Sequence, residues 1–175
     1  MRVLQGRLWN VIGTWVAGIA TFAAVVVSLW LAGRSERVDL LVRVGIRSIF
    51  AGDGSPAAKA LSFEVTNRGS RPVTVLSIGW TVGKKEGKKF CLQTTSGPYT
   101  ATCPIELNHG KSASFFVSFE ATPEWAADFS SKFLPDMNPK TLKTLMALVH
   151  TSVGKTVRVR PEDNVIKHLQ SRAEV

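Results

Sequence analysis

The chain has 175 residues and a formal net charge of +9 at pH 7, from 22 lysines and arginines against 13 aspartates and glutamates. Its hydrophobic fraction of 45% is ordinary for a globular protein, and two cysteines are too few for a scaffold held together by disulfides. Residues 8–33 contain no charged side chain, and every acidic residue follows them. We therefore expect one domain preceded by an apolar segment.

The apolar run over residues 9–32 predicts a transmembrane helix, because about 20 apolar residues span the hydrocarbon core of a bilayer. Trp9 and Trp30 lie near its two ends, where indole rings prefer the headgroup level. A cleaved signal peptide is the alternative, but cleavage after Ala32 would place Trp30 where a small residue is needed. We expect an uncleaved single-pass anchor, preceded by a short tail over residues 1–8.

Small side chains recur on one face of this predicted helix, and large apolar side chains occupy the opposite face. A small face lets two helices approach closely in lipid, so it is a candidate surface for a homo-oligomer. Glycine, alanine, serine and threonine are also common in any spanning helix, and this composition is the competing explanation. The small face consists of Gly13, Ala17, Thr21, Ala24 and Ser28.

A charged linker over residues 33–37 leads into a region whose apolar and polar residues alternate, which predicts a mainly β domain over residues 38–160. Seven or eight short strands separated by turn signals indicate an immunoglobulin-like β-sandwich. The Cys…Trp…Cys spacing of true immunoglobulin domains is missing, because Trp80 precedes both cysteines. The strands are predicted over residues 38–50, 61–66, 73–82, 90–95, 99–105, 113–119, 142–151 and 156–160, with a turn-rich loop over 51–58.

The predicted core comprises the apolar residues that share one face of these strands, namely Val42, Val44, Leu61, Phe63, Val65, Leu76, Ile78, Phe115 and Val117. One or two short helices complete the prediction. Residues 122–124 have the pattern of a helix N-terminus, and Trp125, Phe129 and Phe133 follow at a spacing of four. The tail over residues 161–175 is predicted to be partly helical.

Four lysines are concentrated in the predicted hairpin turn after the third strand. They are candidates for contact with anionic lipid headgroups, whereas a solvated tip that aids solubility is the simpler interpretation. We do not expect a nucleic-acid partner, because no interleaved aromatic residues are present to stack on bases. The lysines are Lys84, Lys85, Lys88 and Lys89.

The two cysteines, Cys91 and Cys103, lie six residues on either side of Gly97. A hairpin that turns at Gly97 would place them opposite each other, and this geometry allows a disulfide in an oxidising compartment. Two small, buried, apolar side chains are the alternative interpretation.

We expect no catalytic or metal site and no cofactor. Residues 154–156, Gly-Lys-Thr, match the end of a phosphate-binding loop, but Val149 stands where that loop needs glycine, and the following alternation predicts a hairpin instead. The three histidines, His109, His150 and His168, have no partner at a metal-ligand spacing. A non-enzymatic role follows, although a hydrolase or transferase with an unrecognised site remains the third alternative.

Several segments are familiar in combination: residues 63–69 (FEVTNRG), 71–75 (RPVTV), 78–80 (IGW) and 151–155 (TSVGK), together with the tryptophan-led anchor. The chain resembles a broad set of uncharacterised bacterial and prophage single-pass membrane proteins with one small β-sandwich domain. This resemblance carries no catalytic residues. It implies a bacterial inner-membrane protein whose domain lies in the cytoplasm. Our leading interpretation is that this domain acts as a non-enzymatic binding or accessory module. The alternative function is an oligomerising membrane effector in a phage-linked or stress system, with the β domain as sensor.

The flanking charges favour a cytoplasmic β domain. Arg34, Arg37, Arg43 and Arg47 follow the apolar run, against two arginines and the terminal amine before it, and the positive-inside rule places the more basic flank in the cytoplasm. The basic domain agrees, since anionic lipid of the inner leaflet attracts it. A disulfide between the cysteines would favour the periplasm instead.

Overall fold

In the computed structural model, residues 2–35, 38–50, 56–84, 87–97 and 99–173 are described. The chain divides into two compact units, Met1–Arg37 and Val38–Val175.

The first unit consists of one helix, α1 (Arg2–Ser35), which extends beyond the predicted apolar run at both ends. Its segment Gly13–Gly33 is long and apolar enough to cross a membrane. These 21 residues correspond to about 31 Å of helix, close to the thickness of a bilayer's hydrocarbon core.

The second unit is mainly β and contains two antiparallel sheets. The first sheet has the order β1-β2-β6 and the second has the order β4-β3-β7-β8, with β5 pairing beside β4 along the same strand, β3. These orders match the A-B-E and C′-C-F-G sheets of an immunoglobulin-like sandwich. The strands are β1 (Leu40–Phe50), β2 (Pro56–Asn67), β3 (Val73–Val82), β4 (Lys89–Leu92), β5 (Ile105–Leu107), β6 (Ser112–Ser118), β7 (Met146–Thr151) and β8 (Thr156–Val159).

The core lies between the sheets and is centred on Trp80 of β3, which is fully buried. Its ring meets Phe63 of β2 edge-on, with the ring centroids 5.1 Å apart, and also Phe129 at 5.3 Å. An immunoglobulin domain packs a buried tryptophan of the same strand against a disulfide between the sheets. Here aromatic side chains surround the indole instead.

One predicted core residue is wrong. Leu76 is 48% exposed, because the pairing of β3 with β7 shifts register between Val75 and Ser77. The extra residue of this β-bulge points outward and reverses the alternation for the rest of the strand, so that Val73 and Val75 as well as Ile78 face the core. The other predicted core residues are buried.

The predicted hairpin around Gly97 is also wrong. β4 and β5 do not pair with each other, since both pair with β3: Cys91 is opposite Trp80, and Ile105 is opposite Val75. The intervening segment instead runs beside β6, where Ser96 forms a bridge with Val117. The strand predicted over residues 99–105 is therefore absent up to residue 104, and β5 begins only at Ile105.

Four helical segments accompany the sandwich. The predicted helix is present as α2 (Trp125–Asp128), which continues into a π-helical turn (Phe129–Phe133). The predicted C-terminal helix is α4 (Asp163–Ala173). A further helix, α3 (Pro139–Leu142), stands partly where the sequence predicted a strand from residue 142. Of the predicted loop over residues 51–58, residues 51–55 lie outside the described part, and β2 begins at Pro56.

Candidate functional site

The sandwich has two ends, which we name by their position along β3. The linker end is where the chain enters the domain: Leu40 pairs with Asn67, and β3 begins nearby at Val73 opposite Leu107. The far end is where β3 finishes at Val82, nine residues further along. At about 3.3 Å per residue, the two ends are about 30 Å apart.

At the far end, three lysines surround one open hollow of about 620 Å³. Lys84 follows β3, whereas Lys140 and Lys143 come from α3 and its C-terminal boundary, so the hollow joins segments more than fifty residues apart. Among the residues that the structure describes, none of the seven that line the hollow is acidic. The lining residues are Gly83, Lys84, Pro135, Lys140, Thr141, Lys143 and Thr144.

A short hydrogen-bond chain holds the two sides of the hollow together. The Gly83 N–H donates to Thr144 Oγ1 at 2.9 Å, and the Thr144 hydroxyl donates to the Thr141 carbonyl at 2.7 Å. On the α3 side, Asn138 caps the helix by accepting the Lys140 N–H at 3.0 Å. Gly83 has a φ of +96°, and a Cβ here would come within 2.5 Å of the Gly87 carbonyl oxygen. The turn therefore requires glycine.

Of the predicted lysine cluster, only Lys84 lines this hollow. Lys89 is exposed on β4, and the Lys88 ammonium lies 5.4 Å from the centre of the Phe90 ring. Lys85 lies outside the described residues. Sequence reasoning missed Lys140 and Lys143 because nothing local marks them as neighbours of the hairpin. Lys140 and Lys143 are three residues apart, a spacing that places two side chains on one face of a helix. This spacing could have identified them as a pair.

The two cysteines are free thiols. Cys91 is half-buried opposite Trp80, and Cys103 is exposed two residues before β5, so the predicted face-to-face geometry does not form. Desolvation raises the pKa of Cys91 to about 11 and also raises the pKa of Cys103. Both thiols are therefore protonated near neutral pH, which makes them poor nucleophiles.

The small-residue face of α1 is exposed along its length: Gly13, Ala17, Thr21, Ala24 and Ser28. The Thr21 hydroxyl donates to the Ala17 carbonyl at 2.9 Å, which satisfies this polar group within the helix. An added Cβ at Gly13 would meet no atom within 4 Å. Close packing of this face against a second helix stays a prediction.

The remaining motifs have structural roles. Gly154, with a φ of +77°, turns β7 into the antiparallel strand β8, so the hairpin prediction is confirmed. The histidines have local partners: His109 Nδ1 meets the Gly69 carbonyl at 2.9 Å, His150 Nδ1 meets a threonine hydroxyl at 3.0 Å, and His168 stacks on Phe119. Within the described ranges, no group of three His, Cys, Asp or Glu side chains is placed to hold a metal ion.

Comparison with known proteins gives little guidance. No family model matches the chain. The chain is similar to the "Putative metabolite transport protein YfiG" of Bacillus subtilis (strain 168), with 28% identity over 159 residues that cover 77% of this chain and 33% of that protein. The chain thus spans about a third of the length of the relative that it matches.

Proposed function

We propose that this chain is a bacterial single-pass membrane protein whose β-sandwich is a non-enzymatic binding module. In this proposal α1 anchors the domain to the inner membrane, and the hollow at the far end binds a phosphate-bearing anion. The observation that carries it is the convergence of Lys84, Lys140 and Lys143 on one hollow whose described lining residues include no carboxylate.

The anchoring part of the proposal rests on Gly13–Gly33, whose side chains are exposed and almost entirely apolar. In water such a helix would leave a large apolar surface unburied, whereas in a bilayer the same side chains meet acyl chains. The inner-membrane location and the cytoplasmic domain are taken from the resemblance and the arginine count.

The binding part rests on charge and position. Lysine ammonium groups bind phosphate as point charges, and three of them around one hollow strengthen the local potential. Phosphate groups occur in lipid headgroups and in soluble metabolites, and the same three lysines would recognise either.

The anchor is tested by alkaline carbonate extraction of the full-length protein from bacterial membranes. We expect it to remain in the pellet, because carbonate releases peripheral proteins and not spanning helices. Release into the supernatant would contradict the anchor. Fusion of alkaline phosphatase or a fluorescent protein after Val175 tests orientation, and we expect fluorescence without phosphatase activity.

The hollow is tested in full-length protein reconstituted into discs of neutral phosphatidylcholine. Inorganic pyrophosphate and, separately, anionic vesicles are added, and binding is followed by calorimetry. We expect the variant K84A/K140A/K143A to lose binding of the probe that the wild type prefers. The matched control R71A/K111A/K155A removes the same number of charges at the linker end and should retain pyrophosphate binding. An equal loss of binding in both variants would mean that the anion is attracted by the overall positive charge and not by the hollow.

The small-residue face favours the second candidate, an oligomerising membrane effector. Cysteine crosslinking along α1 in native membranes separates the two candidates. Crosslinks confined to the positions of Gly13, Ala17 and Thr21 are expected for an oligomer, and their absence is expected for a monomeric tethered module.

A further inference from the structure

The loops of the linker end are tied together by a single buried side chain, Asn67. It is fully buried at the end of β2 and uses three of its four hydrogen-bonding positions. Its Nδ2 donates to the carbonyls of Arg71 at 2.7 Å and Leu107 at 2.8 Å, and its Oδ1 accepts the Gly69 N–H at 2.9 Å. The turn that follows β2 and the end of β5 at Leu107 are thereby fixed around one point.

Backbone hydrogen bonds join the same loops to the chain entry. The N–H groups of Arg68 and Gly69 both donate to the Asp39 carbonyl, at 2.8 and 3.0 Å, and the Asn67 N–H donates to the Lys111 carbonyl at 3.0 Å. The turn between β7 and β8 joins them, since the Lys155 ammonium donates to the Val38 carbonyl. The linker end is therefore an ordered platform beside the first residues of the domain.

The outer surface of this platform is basic, with one apolar tip. Val153, at the turn between β7 and β8, is 61% exposed. Two exposed carboxylates, Asp39 and Glu106, also lie here, and Asp39 pairs with Arg68 at 3.8 Å. Among the described residues of the platform, four lysines and arginines thus stand against two carboxylates. The exposed basic side chains, with the histidine and the apolar tip, are Arg68, Arg71, His109, Lys111, Val153 and Lys155.

The covalent linker limits how far the platform can lie from the membrane. Only residues 36–39 separate Ser35, the last residue of α1, from Leu40, the first residue of β1. Five residue steps extend by at most about 18 Å. If α1 spans the bilayer, as the proposed function holds, the loops that are bonded to Val38 and Asp39 are brought to the headgroup region.

We propose that the linker-end platform binds the anionic headgroups of the bilayer that holds α1, with Arg71, Lys111 and Lys155 on the headgroups and Val153 at the acyl boundary. This inference rests on the anchoring half of the proposed function and is independent of the far-end hollow. Its consequence is that the membrane contact lies at three loops distant in sequence, and not at the lysine hairpin.

The test uses the full-length chain in the Cys91→Ser, Cys103→Ser background, reconstituted into vesicles of phosphatidylcholine with or without phosphatidylglycerol. A fluorophore is placed at Val153→Cys or, as the far-end reference, at Gly87→Cys, where an added side chain meets no atom within 4 Å. Quenching by spin-labelled lipid then reports which end touches the bilayer. We expect strong quenching at position 153 only with the anionic lipid, loss of that quenching in high salt, and little quenching at position 87.

Charge variants give the decisive comparison. Each basic residue near an anionic surface changes the equilibrium constant of contact by about fivefold, so R71A/K111A/K155A should lose most of the quenching at position 153. K84A/K140A/K143A removes the same charge at the far end and should retain it. Equal quenching in neutral lipid, stronger quenching at position 87, or equal loss in both triple variants would overturn the proposal.

Carbonate extraction of the same samples separates this outcome from a failure of the anchor. A protein that resists extraction but shows no quenching at position 153 contradicts the platform alone. A protein that is extracted contradicts the spanning helix. Circular dichroism of each triple variant establishes that the loss of quenching is not a loss of folding.

Discussion

The two ends of the sandwich carry similar numbers of exposed cations but are built in different ways. At the linker end a buried amide, Asn67, fixes the loops through three side-chain hydrogen bonds. At the far end one partly buried hydroxyl, Thr144, joins the hairpin to α3, and the lysines surround an open hollow. The linker end is thus preorganised as a contact surface, whereas the far end has space for a ligand. Charge content alone does not distinguish these two roles.

The largest loss of stability is expected for a substitution in the core between the two ends, and it should destabilise both ends equally. Phe63 is fully buried and packs edge-on against Trp80. Phe63→Ala should reduce the free energy of unfolding by about 3–5 kcal/mol, because it removes apolar contact and leaves a cavity. Urea denaturation of full-length protein in detergent measures the loss. Hydrogen exchange should accelerate at the linker end and the far end together.

Leu76→Ala is the control for this substitution. Leu76 lies on the same strand as Trp80, but its side chain points outward at the bulge. The loss of stability should stay below about 1 kcal/mol, as for other exposed positions. A loss as large as that of Phe63→Ala would mean that the register of β3 is the uninterrupted one that the sequence alone predicted.

The next effect separates the ends. Asn67→Ala leaves the carbonyls of Arg71 and Leu107 and the N–H of Gly69 without their side-chain partner, which should cost about 2–4 kcal/mol. Hydrogen exchange by mass spectrometry should speed up in residues 68–72 and 107–111 more than in residues 83–84 and 140–144. Uniform acceleration would show that Asn67 supports the whole domain and not its linker end.

The sequence predicted much of the fold because the strands are short, regular and separated by strong turn signals. Alternation placed β1, β2, β3 and β6, and Gly154 marked the last hairpin. The alternation of apolar and polar residues could not reveal the bulge at Leu76. The extra residue of a bulge can be apolar like its neighbours, so the pattern continues through it. The strand pairing around Gly97 was also predicted wrongly. The equal spacing of the two cysteines from Gly97 suggested a hairpin, whereas β4 and β5 each pair with β3.

The candidate surfaces were harder to predict than the fold. The hairpin lysines lie within six residues of one another and were therefore visible in the sequence, but the structure combines Lys84 with Lys140 and Lys143 of α3 and its C-terminal boundary. The linker-end platform has no contiguous signal, because its cations come from three separate loops. Asn67 resembled an ordinary turn residue, but its hydrogen bonds join two of these loops. Local patterns identify strands and turns, whereas a surface assembled across the fold needs the tertiary contacts.

A smaller effect is expected at the far end. Thr144→Val keeps the shape of the side chain but removes the acceptor of the Gly83 N–H, which should cost about 0.5–1.5 kcal/mol. Pyrophosphate binding at the hollow should weaken, because Lys84 is no longer held beside α3. Quenching at position 153 in anionic vesicles should not change. A parallel loss at both ends would contradict their independence.

The smallest effect concerns an ion pair on neither end. The Glu162 carboxylate accepts two hydrogen bonds from Arg47, at 2.6 and 2.7 Å, and the Glu162 N–H donates to the Val44 carbonyl, so the segment before α4 covers the free edge of β1. The hydrogen bonds from Arg47 lower the pKa of Glu162 below its ordinary value. A carboxyl group whose pKa is lower in the folded state stabilises the fold above its unfolded pKa, and this stabilisation is lost as the pH falls through the folded pKa.

Glu162→Gln should therefore flatten the decrease in unfolding free energy below about pH 4.3, the ordinary pKa of a glutamate, and change stability at neutral pH only slightly because the pair is partly exposed. Urea denaturation at a series of acidic pH values measures this slope. In an Arg47→Met background the same substitution should change the slope much less, since the partner that contributes most to the lowered pKa is gone. Both ends should keep their wild-type responses, pyrophosphate binding and lipid quenching, at neutral pH. If Glu162→Gln alters either response, the edge of β1 transmits strain to that end, and the two surfaces are coupled through the C-terminal segment.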